Sequence, residues 1–345
     1  MLRQVTRLMT CCAVVAGMVG FAGASRAQEV KSATLDAVKK RGQLICGVDT
    51  GIPGFAFQDA SGKWQGLDVA YCQAIATAVL GDPAKVKYVG TTSKVRFSVL
   101  QSGEIDVLIR DSTHTLTRNT ELGLAYGGLN FFTGQSFMAK KSLNVAHVKD
   151  LNGATICVLT GTTLEPNIAD YNRDNNIKIG TLLFEKPEEA FAAAEAGRCD
   201  GYTDDGGSVA AARSSMKNPN DWVILPELIS REFLGSYTRQ GDERWTILVN
   251  WVHYAMLEAE VLGITKANVD KIKAETKNPE ARGFLGLEGN FGKLLGVDNA
   301  WSYNIVKAVG NYGENYETYF GPLQLPRGWN NLYTKGGLQY PLPWR

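Results

Sequence analysis

Histidine is almost missing from this sequence: His114, His147 and His253 are the only three in 345 residues. They stand far apart, and no Cys-x-x-Cys pair exists, so the usual zinc-ligand spacings are excluded. The hydrolase and nucleotide motifs are absent as well. There is no Gly-x-Ser-x-Gly, no His-Glu-x-x-His, no P-loop and no Gly-x-Gly-x-x-Gly. Neither sign of charge dominates, with 36 basic residues against 35 acidic ones. That balance gives no electrostatic case for nucleic acid or for an anionic membrane surface. A long apolar run occurs once, Leu8 to Gly23, and it is too short and too rich in Gly and Ala to favour a membrane span.

That run has another reading. Arg3 and Arg7 precede it, and Ser25-Arg26-Ala27 follows with small residues at the outer positions. The pattern predicts a secretory signal, residues 1–27, cleaved after Ala27. Cys11 and Cys12 lie near the start of the apolar run rather than behind it, which argues against a lipid anchor. Cleavage removes three arginines and no acids, leaving 33 basic residues against 35 acidic and a formal charge of −2. It also leaves four cysteines, Cys46, Cys72, Cys157 and Cys199, an even number in an oxidising compartment where disulfides are expected. Four cysteines allow three pairings.

The remaining chain alternates short β-branched runs with helical patterns, which predicts an α/β fold. "QLICGV" and "KVKYV" read as strands. "GLDVAYCQAIATAVLG" reads as a helix: Leu67, Tyr71, Ala74, Ile75, Ala78 and Val79 share a face, and Gly81 suits the stop. A helix from Val95 to Gln101 leads to the short strand "IDVLI", ending at Ile109.

The chain also repeats itself once. "ICGVDTG" (45–51) resembles "ICVLTG" (156–161), and "LQSGEIDVLIRDS" resembles "AEAGRCDGYTDDG". Gly103 is followed by Asp106, then Arg110 and Asp111; Gly197 is followed at the same offsets by Asp200, then Asp204 and Asp205. Two matches in one order predict two similarly built lobes, not the three or more units of a repeat array. Ligands in open α/β sheets bind beyond the C-terminal ends of the strands. Arg110-Asp111 and Asp204-Asp205 would then face one cleft. Pairing within each lobe, Cys46 with Cys72 and Cys157 with Cys199, leaves the lobes free to move and is favoured over buried free thiols.

The residues at this cleft suit binding better than catalysis. His114 follows Ser112 and Thr113, but adjacent residues rarely aim at each other as nucleophile and base, and no third group is identifiable. Neighbouring strand residues point to opposite faces, so Asp204-Asp205 reads as one ligand-facing aspartate followed by a helix cap. A free amino acid, by contrast, needs its carboxylate and ammonium rebonded on leaving water. Arginine matches the carboxylate through paired charge-assisted bonds, and aspartate matches the ammonium. "TGTTLEPN" (160–167) adds hydroxyls and a helix start with Pro166 tolerated in its first turn.

These segments, with "RQGDERWTILVNWVHYAMLEAEVLGIT", resemble the periplasmic solute-binding proteins of polar amino-acid ABC transporters, in particular the general L-amino-acid-binding branch. The resemblance covers nearly the whole mature chain. It implies a two-lobed α/β periplasmic-binding-protein fold, type II-like, with two hinge crossover strands near 133–138 and 229–237. The first lobe would comprise 28–135 and 236–345, the second 136–235. It implies that Arg118 clamps the ligand carboxylate and Asp205 the ammonium. Arg110, Asp111 and Thr113 would line the first-lobe loop, Thr162 and Thr163 the second-lobe helix start, and Asp49 the side-chain pocket. Two residues depart from the branch. Asp111 stands where an amide is usual and His114 where a tryptophan is usual, which makes both candidates for setting specificity.

The expected protein is a periplasmic, monomeric receptor that closes on L-amino acids and delivers them to inner-membrane permease subunits, with no cofactor, metal or nucleic acid. The alternative is a cyclohexadienyl (prephenate/arogenate) dehydratase on the same fold, with Glu165 or Glu185 as general acid.

Overall fold

The computed structural model describes residues 31–344. The expected signal segment and its cleavage after Ala27 lie outside the described residues. Among those described, no helix is long and apolar enough to cross a membrane.

The strands, in chain order, are β1 (Leu44–Val48), β2 (Phe57–Gln58), β3 (Trp64–Gln65), β4 (Val86–Gly90), β5 (Val107–Thr113) and β6 (Leu124–Thr133). They continue with β7 (Gln135–Lys140), β8 (Thr155–Leu159), β9 (Gly180–Phe184), β10 (Gly201–Asp205), β11 (Trp222–Ile224) and β12 (Glu232–Arg239). They form two five-stranded sheets, ordered β4-β1-β5-β12-β6 and β11-β7-β10-β8-β9, with β2 and β3 as a small ribbon. Each large sheet anchors one lobe. Read from opposite ends, the two orders match: β1 corresponds to β8, β5 to β10 and β12 to β7.

The repeat read from the sequence therefore has a physical basis, and it extends to individual bonds. The Asp106 carboxylate accepts the Ile45 N–H at 2.7 Å, and the Asp200 carboxylate accepts the Thr155 N–H at 2.7 Å. Each aspartate fastens the start of its lobe's central strand to the strand beside it. Both disulfides also stay within a lobe, joining Cys46 to Cys72 and Cys157 to Cys199.

The helix Leu67–Leu80 forms as its apolar spacing predicts and ends at Gly81, which takes φ 72° and donates its N–H to the Thr77 carbonyl. It packs with Glu243–Val261 and Trp301–Val309 over one face of the first sheet, around Trp245, Trp301 and Phe131. Leu100, Ile105, Leu108, Leu124 and Tyr237 fill the other face. The second sheet is likewise covered on both faces. Strands buried on two sides read as continuous apolar runs, which is why "LICGV" and "TICVL" lack alternation.

The chain crosses between the lobes at Thr133-Gly134-Gln135 and returns between Ile224 and Glu232. The crossings touch: Ile229 donates its N–H to the Gln135 carbonyl at 3.0 Å. A Cβ at Gly134 would lie 2.3 Å from the Ser230 carbonyl oxygen, so only glycine permits the two chains to run this close.

One strand differs from expectation. β5 does not end at Ile109 but runs to Thr113, because β12 pairs with both Ile109 and Thr113. Four residues are spent on β5 where β12 spends two, and Asp111 absorbs the excess at φ 39° as a bulge. A non-glycine residue held in this region is uncommon and is often kept where a side chain must be aimed.

Candidate functional site

The ends of β5 and β10 meet at a small cavity between the lobes. Its polar wall comprises Arg96, Arg110, Arg118, Asp111, Asp204, Asp205, Thr113, Thr162 and Thr163. The cavity measures about 20 Å³, room for little more than one water, so the lobes are closed on one another. Six expected site residues of the cleft, Arg110, Asp111, Thr113, Arg118, Thr162 and Thr163, come together here with Asp205. Asp49 does not reach the cavity. It is fully buried beneath it and pairs with Arg110 at 2.5 Å.

Arg118 owes its position to local capping. Thr115 caps the short helix Leu116–Thr120, its hydroxyl accepting the Arg118 N–H at 3.2 Å. The Arg118 side chain then turns back, and its Nη1 donates to the Thr113 carbonyl at 2.7 Å. Its guanidinium lies 4.9 Å from the Phe97 ring centroid, and that of Arg96 lies 4.5 Å from the same ring. Arg110 is held by Asp49 and by the Thr91 carbonyl, not by Asp111. Burial, then the charges of Arg110 and Arg118, push the Arg96 pKa down. Three buried guanidinium groups on one wall repel one another, and an anion among them relieves this.

Three acids line the same cavity. Asp111, Asp204 and Asp205 each bring one oxygen to within 4.8 Å of the others. The Asp111 N–H is held by Asp68, and Ser208 of the second lobe donates to the Asp111 carboxylate at 2.7 Å. Asp204 accepts from the Tyr202 hydroxyl and from the Asp205 N–H. The reading of the pair as a single ligand-facing aspartate followed by a helix cap is thus corrected. β10 ends at Asp205, the helix Gly206–Ser215 begins at once, and this change of direction brings both carboxylates to one cavity. Asp205 occupies the N-cap position but makes no side-chain cap bond.

Crowded buried carboxylates resist ionisation. Burial raises Asp111 to about 6 and Asp204 to about 8, in each case with further upward pressure from neighbouring acids. Asp205 is pushed well above the ordinary carboxylate range, by burial first and then by Asp111. Asp205 and Asp111 each keep one buried oxygen without a partner. Such a wall calls for protons or for a cation that brings its own N–H donors. A bare metal ion would have the acids but would also face three guanidinium groups. A dipolar molecule with ammonium and carboxylate on one carbon meets both the guanidinium groups and the acids.

His114 does not enter this cavity. Its ring stacks on Tyr126 at 4.1 Å and its Nε2 lies 3.1 Å from the Ser236 carbonyl oxygen. A Cβ at Gly235 would lie 2.8 Å from the imidazole, so glycine there makes room for the ring. Burial lowers the His114 pKa to about 4, leaving it neutral. It borders instead a broader groove of about 540 Å³ outside the cavity, which shares Thr113 and Thr163 with it. Glu165 and Glu185, the candidate acids of the dehydratase alternative, line neither space. Glu185 pairs with Lys94 at the surface, and Glu165 accepts from the Gly161 N–H.

Two residues central to the geometry escaped the sequence reading: Arg96 and Glu232. Arg96 sits four residues before Leu100 on the buried face of its helix, and a charge on a buried face is the signal that marks it. Glu232 begins a strand whose alternate residues 232, 234, 236 and 238 are all buried, so its charge lies on the inward face.

Residues 44–283 match the family model of bacterial extracellular solute-binding proteins, family 3. The general L-amino acid-binding periplasmic protein AapJ of Rhizobium johnstonii is 48% identical over 338 residues, covering 96% of this chain and 98% of its own. The glutamate/glutamine/aspartate/asparagine-binding protein BztA of Rhodobacter capsulatus is 50% identical over 317 residues, covering 91% and 94%. Among solved structures, a periplasmic binding protein of an ABC transporter from Brucella ovis with glutathione bound superposes with a TM-score of 0.88 at 48% identity, covering 90% of this chain and 99% of that one.

Proposed function

The chain belongs to the bacterial extracellular solute-binding proteins of family 3, and we propose that it captures L-amino acids in the interlobe cavity and delivers them to an inner-membrane ABC permease. It is a transport receptor, not an enzyme. The observation that carries this reading is the convergence of Arg96 and Arg118 with Asp111, Asp204 and Asp205 on one closed cavity. Arg118 takes the α-carboxylate and Asp205 the α-ammonium, with Asp111, Thr113, Thr162 and Thr163 completing the shell. Arg110 and Asp49 act beneath it, as an ion pair that stiffens the bulge.

A cavity of about 20 Å³ admits no amino acid, so binding requires the lobes to part. Opening turns on the two crossings, with lobes of 28–135 plus 236–345 and of 136–235. Ligand favours the closed state because only there does it touch Arg118 of the first lobe and Asp205 of the second together. Export follows cleavage after Ala27, and the receptor acts as a monomer.

The relatives support amino-acid cargo, and the Brucella protein adds a second class. Glutathione carries a free α-amino and α-carboxylate group on its γ-glutamyl residue, the same head group as an amino acid. The outer groove beside Thr113 and Thr163 could take the remainder of such a ligand. Calorimetry of the purified, ligand-stripped protein against the common L-amino acids and glutathione tests both. Binding of several amino acids is expected. Binding of none, with turnover of prephenate-like acids, would overturn the transport reading.

A further inference from the structure

Glu232 lies where the returning chain re-enters the first sheet, and it is 2% exposed. A buried carboxylate is tolerated only when its oxygens are fully hydrogen-bonded. Here both are. Oε2 accepts from the hydroxyls of Thr113 and, at 3.1 Å, Thr163. Oε1 accepts from the Asn167 amide at 2.9 Å and the Ser230 hydroxyl at 2.6 Å. Four donors occupy the four acceptor sites that a carboxylate offers.

The donors come from different parts of the molecule. Thr113 ends the central strand of the first lobe. Thr163 and Asn167 belong to the start and first turns of the second-lobe helix Leu164–Asn175. Ser230 lies on the return crossing. Other bonds also span the cleft, among them Ser208 to Asp111 and Arg96 to the Gly161 carbonyl, but each joins one residue to one. Among the described residues, Glu232 alone gathers both lobes and the hinge on a single group.

We propose that Glu232 is a positioning residue that latches the closed cleft and orients the threonine hydroxyls at the ligand site. Each hydroxyl has one proton, and in Thr113 and Thr163 that proton is committed to Glu232. Both therefore meet a ligand as acceptors. The latch needs no ligand: it holds Thr113 against Thr163 and Asn167 by itself. A carboxylate near the hinge moves little on opening, but hydrogen bonds fail within a few tenths of an ångström beyond 3.2 Å, so small rotations release it.

The inference rests on the cavity being the ligand site only for its second half. The test separates the two. Small-angle scattering compares the ligand-free mature wild type with Glu232→Gln, whose amide cannot accept the donors that met one oxygen, and with Asn167→Ala, which removes one second-lobe donor and leaves Glu232 in place. The expected result is a larger radius of gyration for Glu232→Gln and an intermediate one for Asn167→Ala. Stopped-flow tryptophan fluorescence with L-glutamine then reads the rates. Dissociation should quicken by about tenfold in Glu232→Gln, and association should quicken as well, because the latch closes the empty cavity and so lowers the open, binding-competent fraction. A merely structural role would lower the melting temperature without quickening both rates. Equal radii in wild type and both variants overturn the latch, whether or not L-glutamine binds. Failure of the wild type to bind any amino acid while the radii differ overturns the ligand reading and leaves the latch standing.

Discussion

The Ser208 hydroxyl donates to the Asp111 carboxylate across the cleft at 2.7 Å, joining the helix after β10 to the bulge of β5. One oxygen of Asp111 is thus used for closure and the other faces the cavity without a partner. The two roles can be separated. Ser208→Ala removes one neutral-to-charged bond and should weaken binding of every ligand by roughly three- to tenfold, the effect of about 1 kcal/mol. Asp111→Asn keeps an acceptor for Ser208 but removes the charge. It should raise affinity for L-glutamate relative to L-arginine. Calorimetry with both ligands checks this, and an unchanged ratio would remove Asp111 from the specificity determinants.

Arg118 differs from its neighbours Arg96 and Arg110 in having no carboxylate partner and no bond across the cleft. Of its donors, one is spent on the Thr113 carbonyl. The others are free for a carboxylate. Arg118→Ala should lower affinity for all L-amino acids by roughly a hundredfold or more, since charge-assisted bonds contribute about 1.5–3 kcal/mol each. Arg118→Lys keeps the charge but not the two-pronged geometry and should recover only part of the loss. Normal binding by Arg118→Ala would reverse the proposed orientation of the ligand.

Much of this was legible in the sequence, and the limits have physical causes. The repeat exposed the two-lobed plan because the same backbone task, anchoring a central strand, is solved twice by an aspartate three residues after a glycine. The resemblance implies roles for Arg118 and Asp205, and both side chains line the cavity. Asp49 looked like a pocket residue but is a buried counter-ion, since sequence does not reveal which side of a strand end faces the cleft. The Asp204-Asp205 pair was read as one ligand-facing aspartate because the alternation rule assumes the strand continues, whereas β10 ends at Asp205. Glu232 was missed because three of its four partners lie 65 to 119 residues away.

The buried acids give the ligand-free protein a characteristic pH response. Asp68 is raised to about 7 and Asp204 to about 8, chiefly by burial, and Asp205 lies well above its ordinary value. In the unfolded chain all three ionise near 4. The folded state therefore holds more protons between pH 4 and 8, and stability declines as pH rises through that range. His114 and His253, lowered to about 4 and 3 by burial, push the other way, but only below about pH 6.5. Glu258, raised to about 7 by burial, adds to the decline. Between pH 7 and 8.5 the acids alone remain, so stability should fall, by on the order of 1–2 kcal/mol for Asp204, and the melting temperature with it. Asp204→Asn should flatten the slope. Bound amino acid should flatten it too, because its ammonium replaces the shared protons, and binding should tighten as pH rises over the same interval. A melting temperature that climbs from pH 7 to 8.5 would contradict the crowded-acid account.

The tail after Pro326 gave no sequence signal beyond its tryptophans and prolines, yet it braces the hinge. The Asn330 side chain mimics a strand: Oδ1 accepts the Phe132 N–H at 2.7 Å and Nδ2 donates to the Phe132 carbonyl at 3.0 Å. Phe132 precedes the first crossing by one residue, on edge strand β6. Gln339 and Tyr312 both donate to the Asn130 carbonyl nearby, and Arg327 holds Glu260 through two bonds. Trp344 anchors the end by stacking on Trp301, 5.2 Å between centroids. An edge strand otherwise exposes such groups to pairing with other chains. Asn330→Ala should leave both Phe132 groups without a protein partner, at a cost of about 1–3 kcal/mol. Hydrogen exchange at Phe132 and its neighbours in β6 should accelerate while exchange in the second sheet stays unchanged. Asn330→Asp, which can accept but not donate, should fall between. If all three proteins exchange alike at Phe132, the tail is merely packed against the lobe and does not brace the crossing.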